Sequence, residues 1–117
     1  MTRILLVFCL LSSRGAWADG GSIAFRVVNE SELLLREVHV TPSTDGRWGE
    51  DLLQGVVLEP GQQRSLTAAG DCGLYDILIV APGGTDLIAE EVEFCEGGDV
   101  IAVRPGGRIE KDPAGDR

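Results

Sequence analysis

The chain is poor in the residues that most often carry chemistry. Among 117 residues there is one histidine, His39, one methionine and one lysine, Lys111, and aromatic side chains make up 5%. A single histidine excludes His-rich metal centres and leaves one imidazole for acid–base work, with no nucleophile or acid partner marked by spacing. Three cysteines are too few for a four-thiolate zinc site. No nucleophile elbow, phosphate loop, EF-hand or glycine–aspartate repeat is present. Basic residues are also scarce, ten against nineteen acidic, for a net charge of −9. Nucleic acids and anionic membranes both select a basic face, so neither is an expected partner. Carboxylate pairs of the glycosidase kind can be drawn at will from nineteen acids, which makes them no evidence.

What is present begins with an export signal. Arg3 is a short positive segment, Ile4 to Leu11 is unbroken apolar sequence, and Ala16-Trp17-Ala18 supplies the small residues that signal peptidase needs. The apolar run stops at Ser12-Ser13, well short of the roughly 20 residues of a membrane helix. Cys9 lies inside that run and does not suit acylation, and Arg3 alone is no twin-arginine signal. Cleavage is expected after Ala18, giving a periplasmic or secreted protein without stable membrane insertion. All nineteen acids and eight of the ten basic residues follow that point, a net charge of −11. Nine arginines to one lysine suit a high-GC bacterial genome.

Residues 19–104 read as one small all-β domain. Branched residues cluster at 23–29, 33–41, 56–58, 64–68, 74–81, 86–95 and 100–104, with turn residues between them. Seven short strands at this spacing predict an immunoglobulin-like antiparallel β-sandwich. Glu59-Pro60-Gly61-Gln62 reads as a turn with Pro and Gly at its centre. One long connection runs from Pro42 to Gln54. Residues 105–117 are Gly, Pro and charge, and read as a disordered tail.

Cys72 and Cys95 are equidistant from Gly83-Gly84. A hairpin closed by Ala81 and Asp86 places Ile79 opposite Ile88, Tyr75 opposite Val92, and Cys72 opposite Cys95. Export and this register predict a disulfide, contributing on the order of 3–4 kcal/mol in the chain-entropy model. Strict alternation, however, puts Tyr75, Ile77 and Ile79 on one face and the cysteines on the other, with Asp76, Glu91 and Glu93. Either the disulfide lies near solvent or a bulge at Gly73 turns Cys72 inward.

Few residues offer a site. Asp76 and Glu91 are expected to oppose each other, with Glu93 nearby. A solvated or arginine-paired face (Arg26, Arg36 or Arg104) outweighs a calcium site there. Trp48, with Asp45 and Asp51 around it, is a candidate ligand platform. The favoured reading makes Trp48 a plug over the open end of the sandwich, with Leu52 and Leu53 beneath it. His39 reads as an ordinary surface histidine. Asn29-Glu30-Ser31 matches a glycosylation sequon by chance.

Val27-Val28-Asn29, Val38-His39-Val40-Thr41-Pro42, Trp48-Gly49-Glu50-Asp51-Leu52-Leu53, Leu58-Glu59-Pro60-Gly61 and Cys72-Gly73-Leu74-Tyr75-Asp76 together resemble a family of small exported bacterial proteins. These share W-G-x-D-L-L, L-x-P-G and C-x-Y-D motifs. Here two residues, not one, separate Cys72 from Tyr75. The resemblance covers most of residues 23–104 and implies fold and compartment only. The expectation is a non-catalytic binding or envelope-associated module, its partner an envelope protein or small ligand, with no cofactor. A calcium-dependent module on the acidic face is the alternative, and a small hydrolase stands behind both.

Overall fold

In the computed structural model, which describes residues 21–95 and 98–112, the alternation of Ile23, Phe25 and Val27 becomes β1 (Ser22–Asn29). Those three side chains are buried while Ser22 and Ala24 face solvent. Six strands follow: β2 (Glu37–Pro42), β3 (Gln63–Ala69), β4 (Gly73–Ala81), β5 (Thr85–Phe94), β6 (Asp99–Arg104) and β7 (Arg108–Asp112). One sheet has the order β3-β1-β6-β7 and the other β2-β4-β5. Phe25, Val27, Leu66, Ile101 and Val103 of the first meet Val38, Tyr75, Ile77, Ile79 and Phe94 of the second in one core. The fold is a seven-stranded β-sandwich.

The β1–β3 pair and the β2-β4-β5 sheet reproduce the B–E and C–F–G pairings of an immunoglobulin sandwich. The expected purely antiparallel arrangement is corrected at β6. This strand lies parallel to β1, with Phe25 beside Asp99 and Val27 beside Ile101. It occupies the place that strand A takes in that fold, but runs in the opposite sense. From Asp99 to Val103 it is buried on both faces, which explains its unbroken apolar reading.

Two strand assignments change. Residues 56–58 make no strand; Leu58 forms a single bridge to Leu35, and both are fully buried. The supposed tail instead supplies β7, which pairs with β6 from Arg104↔Arg108 to Val100↔Asp112. Its five residues carry one apolar side chain, Ile109, which packs against the core. Arg104 holds the strand from β6, donating to Glu110 at 3.0 Å and Asp112 at 2.9 Å, and to Glu30 at 2.7 Å. Composition hid this strand because pairing and charge, rather than burial, secure it. Residues 113–117 lie outside the described residues, as does the export segment.

The hairpin register is right at its far end and off by one near the turn. The connection is three residues, Pro82-Gly83-Gly84, closed by Ala81 and Thr85, with φ of 81° and 78° at the two glycines. The expected four-residue loop is thereby corrected: Ile79 faces Leu87, and Ile88 faces Leu78. Between Tyr75 and Ile77 the register shifts, because Glu90 and Glu91 together oppose Asp76. Beyond that bulge Tyr75 meets Val92, as expected, and Gly73 meets Phe94. Cys72 and Cys95 follow, disulfide-bonded with Cα atoms 4.1 Å apart. The bulge sits at Glu90-Glu91, not at Gly73, and the disulfide lies near solvent.

The bulge also explains the face conflict. Leu87 and Ala89 turn toward the core before it, and Val92 and Phe94 after it. One extra residue thus reverses the alternation of β5 and delivers Phe94 to the interior. There Phe94 stacks between Phe25, centroids 5.2 Å apart, and the edge of Tyr75, at 5.7 Å. The Tyr75 hydroxyl donates to the Asp71 carbonyl at 2.6 Å, a tyrosine corner at the crossing from β3 to β4.

Candidate functional site

The connection from β2 to β3 contains the W-G-x-D-L-L segment, and its chemistry is turned inward. Asp51 accepts backbone hydrogen bonds from Val38 at 3.0 Å and Leu53 at 2.9 Å through Oδ1, and from Gly55 at 3.1 Å through Oδ2. The Leu52 N–H returns a bond to the Val38 carbonyl at 2.8 Å. Asp51 therefore fastens the loop to the outer edge of β2. Desolvation pushes its carboxyl up, but the three N–H donors and nearby His39 outweigh that and hold it below the usual carboxylate range.

His39 is the second fastener. Its ring lies between two acceptors, the Gly49 carbonyl 2.8 Å from Nδ1 and Glu37 Oε1 2.8 Å from Nε2. Only the imidazolium can donate to both. Desolvation lowers its pKa, yet the Glu37 and Gly49 contacts prevail and raise it above the ordinary histidine value. With 13% of its side chain exposed, His39 is a loop tether rather than the surface residue expected.

The platform residues do not converge. Trp48 is 38% exposed and stands outside the core; Leu53, at 3%, is the residue that plugs it, so the plug reading of Trp48 is corrected. Trp48 borders a hollow of about 200 Å³ with Thr41, Arg47 and Asp76. Asp45 borders a different one, of about 230 Å³, and Asp51 borders neither. The aromatic surface therefore has no convergent carboxylates from the pair assigned to it.

The acidic hairpin face is also resolved. Asp76 Oδ1 accepts from the Ser43 hydroxyl at 2.7 Å and from the Glu91 backbone N–H at 3.0 Å. What opposes Asp76 is thus the bulge backbone. No group of three His, Cys, Asp or Glu residues suited to a metal occurs among the described residues. None of the three arginines proposed as partners makes a described salt bridge to these acids, and Arg104 is engaged by Glu30, Glu110 and Asp112. Asn29 of the sequon is fully buried, its amide donating to the Leu33 and Leu58 carbonyls, so it is a loop clamp.

Two larger concavities remain. One, of about 480 Å³, lies against the disulfide and is bordered by Pro42, Ser43, Asp71, Leu74 and Glu91. The other, of about 510 Å³, runs between Glu50–Val56 and β3, with Leu53 and Leu66 in its floor. Its charged groups are Glu50 and Arg64, and Arg64 donates to the Val56 and Val57 carbonyls at 2.7 and 3.2 Å. Sequence reasoning missed this groove because spacing does not give the path of the loop that joins its two walls. The available signal was β3 itself, a strand with one charge and no breaker.

No family model matches the chain, and no curated protein matches it. Its fold is similar to that of a protein from Eubacterium rectale solved by NMR. That similarity has a TM-score of 0.51 at 14% identity, covering 81% of this chain and 91% of the other. The likeness is one of fold.

Proposed function

We propose that the chain is an exported, non-catalytic binding module of the bacterial envelope. The observation that carries this reading is the groove between Glu50–Val56 and β3. It offers an apolar floor and a polar rim, and Arg64, the cation among the described residues that line it, is held in place by two loop carbonyls. Recognition needs such a surface, whereas hydrolysis needs a nucleophile and a base within reach of each other. The export segment, the solvent-facing disulfide and the W-G-x-D-L-L, L-x-P-G and C-x-Y-D resemblance support the same compartment. Asp76 spends Oδ1 on the Ser43 hydroxyl and the Glu91 N–H, and no cluster of three metal-ligating residues occurs among the described residues, so the calcium-dependent alternative has less support.

The test is capture from an envelope fraction by the tagged, oxidised protein, with a disulfide-reduced control. The expected result is a partner retained by the oxidised form and lost on reduction. Retention of the protein in the cytosol, or hydrolytic turnover by the purified chain, would overturn the reading.

A further inference from the structure

An open sheet edge is a template for another strand, and folded proteins usually guard it. Among the described residues, three of the four sheet edges are guarded. At β2, the Val38 N–H and carbonyl are taken by Asp51 and Leu52. Along β5 the Glu90-Glu91 bulge breaks the ladder, Asp86, Glu90 and Glu93 add charge, and Lys111 donates to the Glu93 carbonyl at 2.6 Å. On β7 four of five residues are charged.

The edge of β3 has none of these devices. It runs seven residues, Gln63–Ala69, without proline or bulge, and ends its sheet. Its one charge, Arg64, is tied to the Val56 and Val57 carbonyls. Among the described residues, no backbone or side-chain partner covers its outward N–H and carbonyl row. Both loop-side hollows lie along this edge. One borders residues 64–67 and the other residues 67–69, with Glu50 in the wall of each.

From this we infer that β3 takes up an extended peptide segment bearing lysine or arginine, which adds a strand beside it and packs apolar side chains on Leu53 and Leu66. This rests on the binding-module reading and names the class of partner. Backbone pairing with β3 supplies affinity, and the groove reads alternate side chains. Charge sets the composition at the second hollow, because the first also holds Arg64, which stays charged although bonded to neutral carbonyls. Glu50 is exposed and makes no described ion pair, and Asp45 joins it along the second hollow. A second copy of the exported chain, at net −11, would bring repulsion instead.

The experiment is selection of random linear peptides of about nine residues, enough to span β3 at roughly 3.3 Å per residue. They are displayed on phage and selected against the oxidised protein. The selected sequences should alternate β-branched and basic residues. They should slow exchange of alternate β3 amides about tenfold near saturation. Backbone N-methylation of the peptide should abolish binding, and Glu50→Lys should weaken it roughly threefold to fivefold. Peptides that bind despite N-methylation, or that protect amides elsewhere, would overturn the inference and leave the module reading standing. A library that yields no peptide overturns it as well, and leaves that reading to the envelope capture.

Discussion

Asp76 accepts a hydrogen bond from the backbone N–H of Glu91 at 3.0 Å, across the point where β5 carries one residue more than β4. A pair that in sequence is two opposed carboxylates is in space a carboxylate closing a bulge. Glu91 has a φ of 55°, which costs a non-glycine residue roughly 1–2 kcal/mol. Glu91→Gly should therefore stabilise the fold by about 0.5–1 kcal/mol in urea unfolding. Asp76→Ala should destabilise it by about 0.5–1.5 kcal/mol, since it removes the acceptor shared by that N–H and the Ser43 hydroxyl. A destabilising Glu91→Gly would mean the bulge is not held this way.

Asp51 should matter more than Trp48, its neighbour in the same motif. Asp51→Ala removes the acceptor of three backbone N–H groups and should cost about 2–3 kcal/mol, with faster amide exchange at Val38, Leu53 and Gly55. Trp48→Ala, at a partly exposed loop position outside the core, should cost less than about 1 kcal/mol. Equal losses in thermal melts would return Trp48 to the core.

The two loop fasteners set a pH window with opposite signs. His39 is raised in the folded state, so its stabilisation is complete below the ordinary value of about 6.5 and fades as pH rises through the folded value. Asp51 is lowered, so its contribution is present above the ordinary carboxylate value and fades as pH falls through the folded one. Stability from this loop should peak between them. The groups facing His39 are Glu37 and Asp51, so His39→Gln should remove the alkaline slope and leave the acid one. An unchanged alkaline slope in urea midpoints would contradict the tether.

At the β3–β4 corner, a Cβ on Gly70 would overlap the Tyr75 hydroxyl, and the φ there is 143°. Gly70→Ala should destabilise by about 2 kcal/mol or more, because the ring cannot move without disturbing Phe94. The double variant with Tyr75→Phe should recover part of that loss. It forfeits only the hydroxyl's bond to the Asp71 carbonyl, worth about 1 kcal/mol. Strict additivity of the two changes in denaturation would show that they do not touch.

Much of this fold was legible in the residues, and the misreadings have physical causes. Clusters of branched residues between turns marked β1, β3 and β4, each of which has one buried face. The Cys72–Cys95 pairing came out right although the turn was read one residue too long, since the bulge restores the residue that the shorter turn removes. Its mark was in the sequence: in Leu87-Ile88-Ala89-Glu90-Glu91-Val92-Glu93-Phe94 the alternation breaks at the Glu90-Glu91 doublet. β7 was illegible because Arg104 and β6 hold it more than burial does. Likewise Trp48 drew attention by its type, while Asp51 and His39 carry the loop through backbone contacts that no composition reveals. The β3 groove depends on two segments meeting across the sandwich, which spacing alone does not give.

The most direct test of the account is the mass of the protein recovered from its own cells, measured without reduction and after proteolysis. The account predicts a chain that begins at Asp19, in the periplasm or medium, with peptides containing Cys72 and Cys95 linked to each other. A cytosolic chain that retains residues 1–18, or one with free thiols at Cys72 and Cys95, would contradict it.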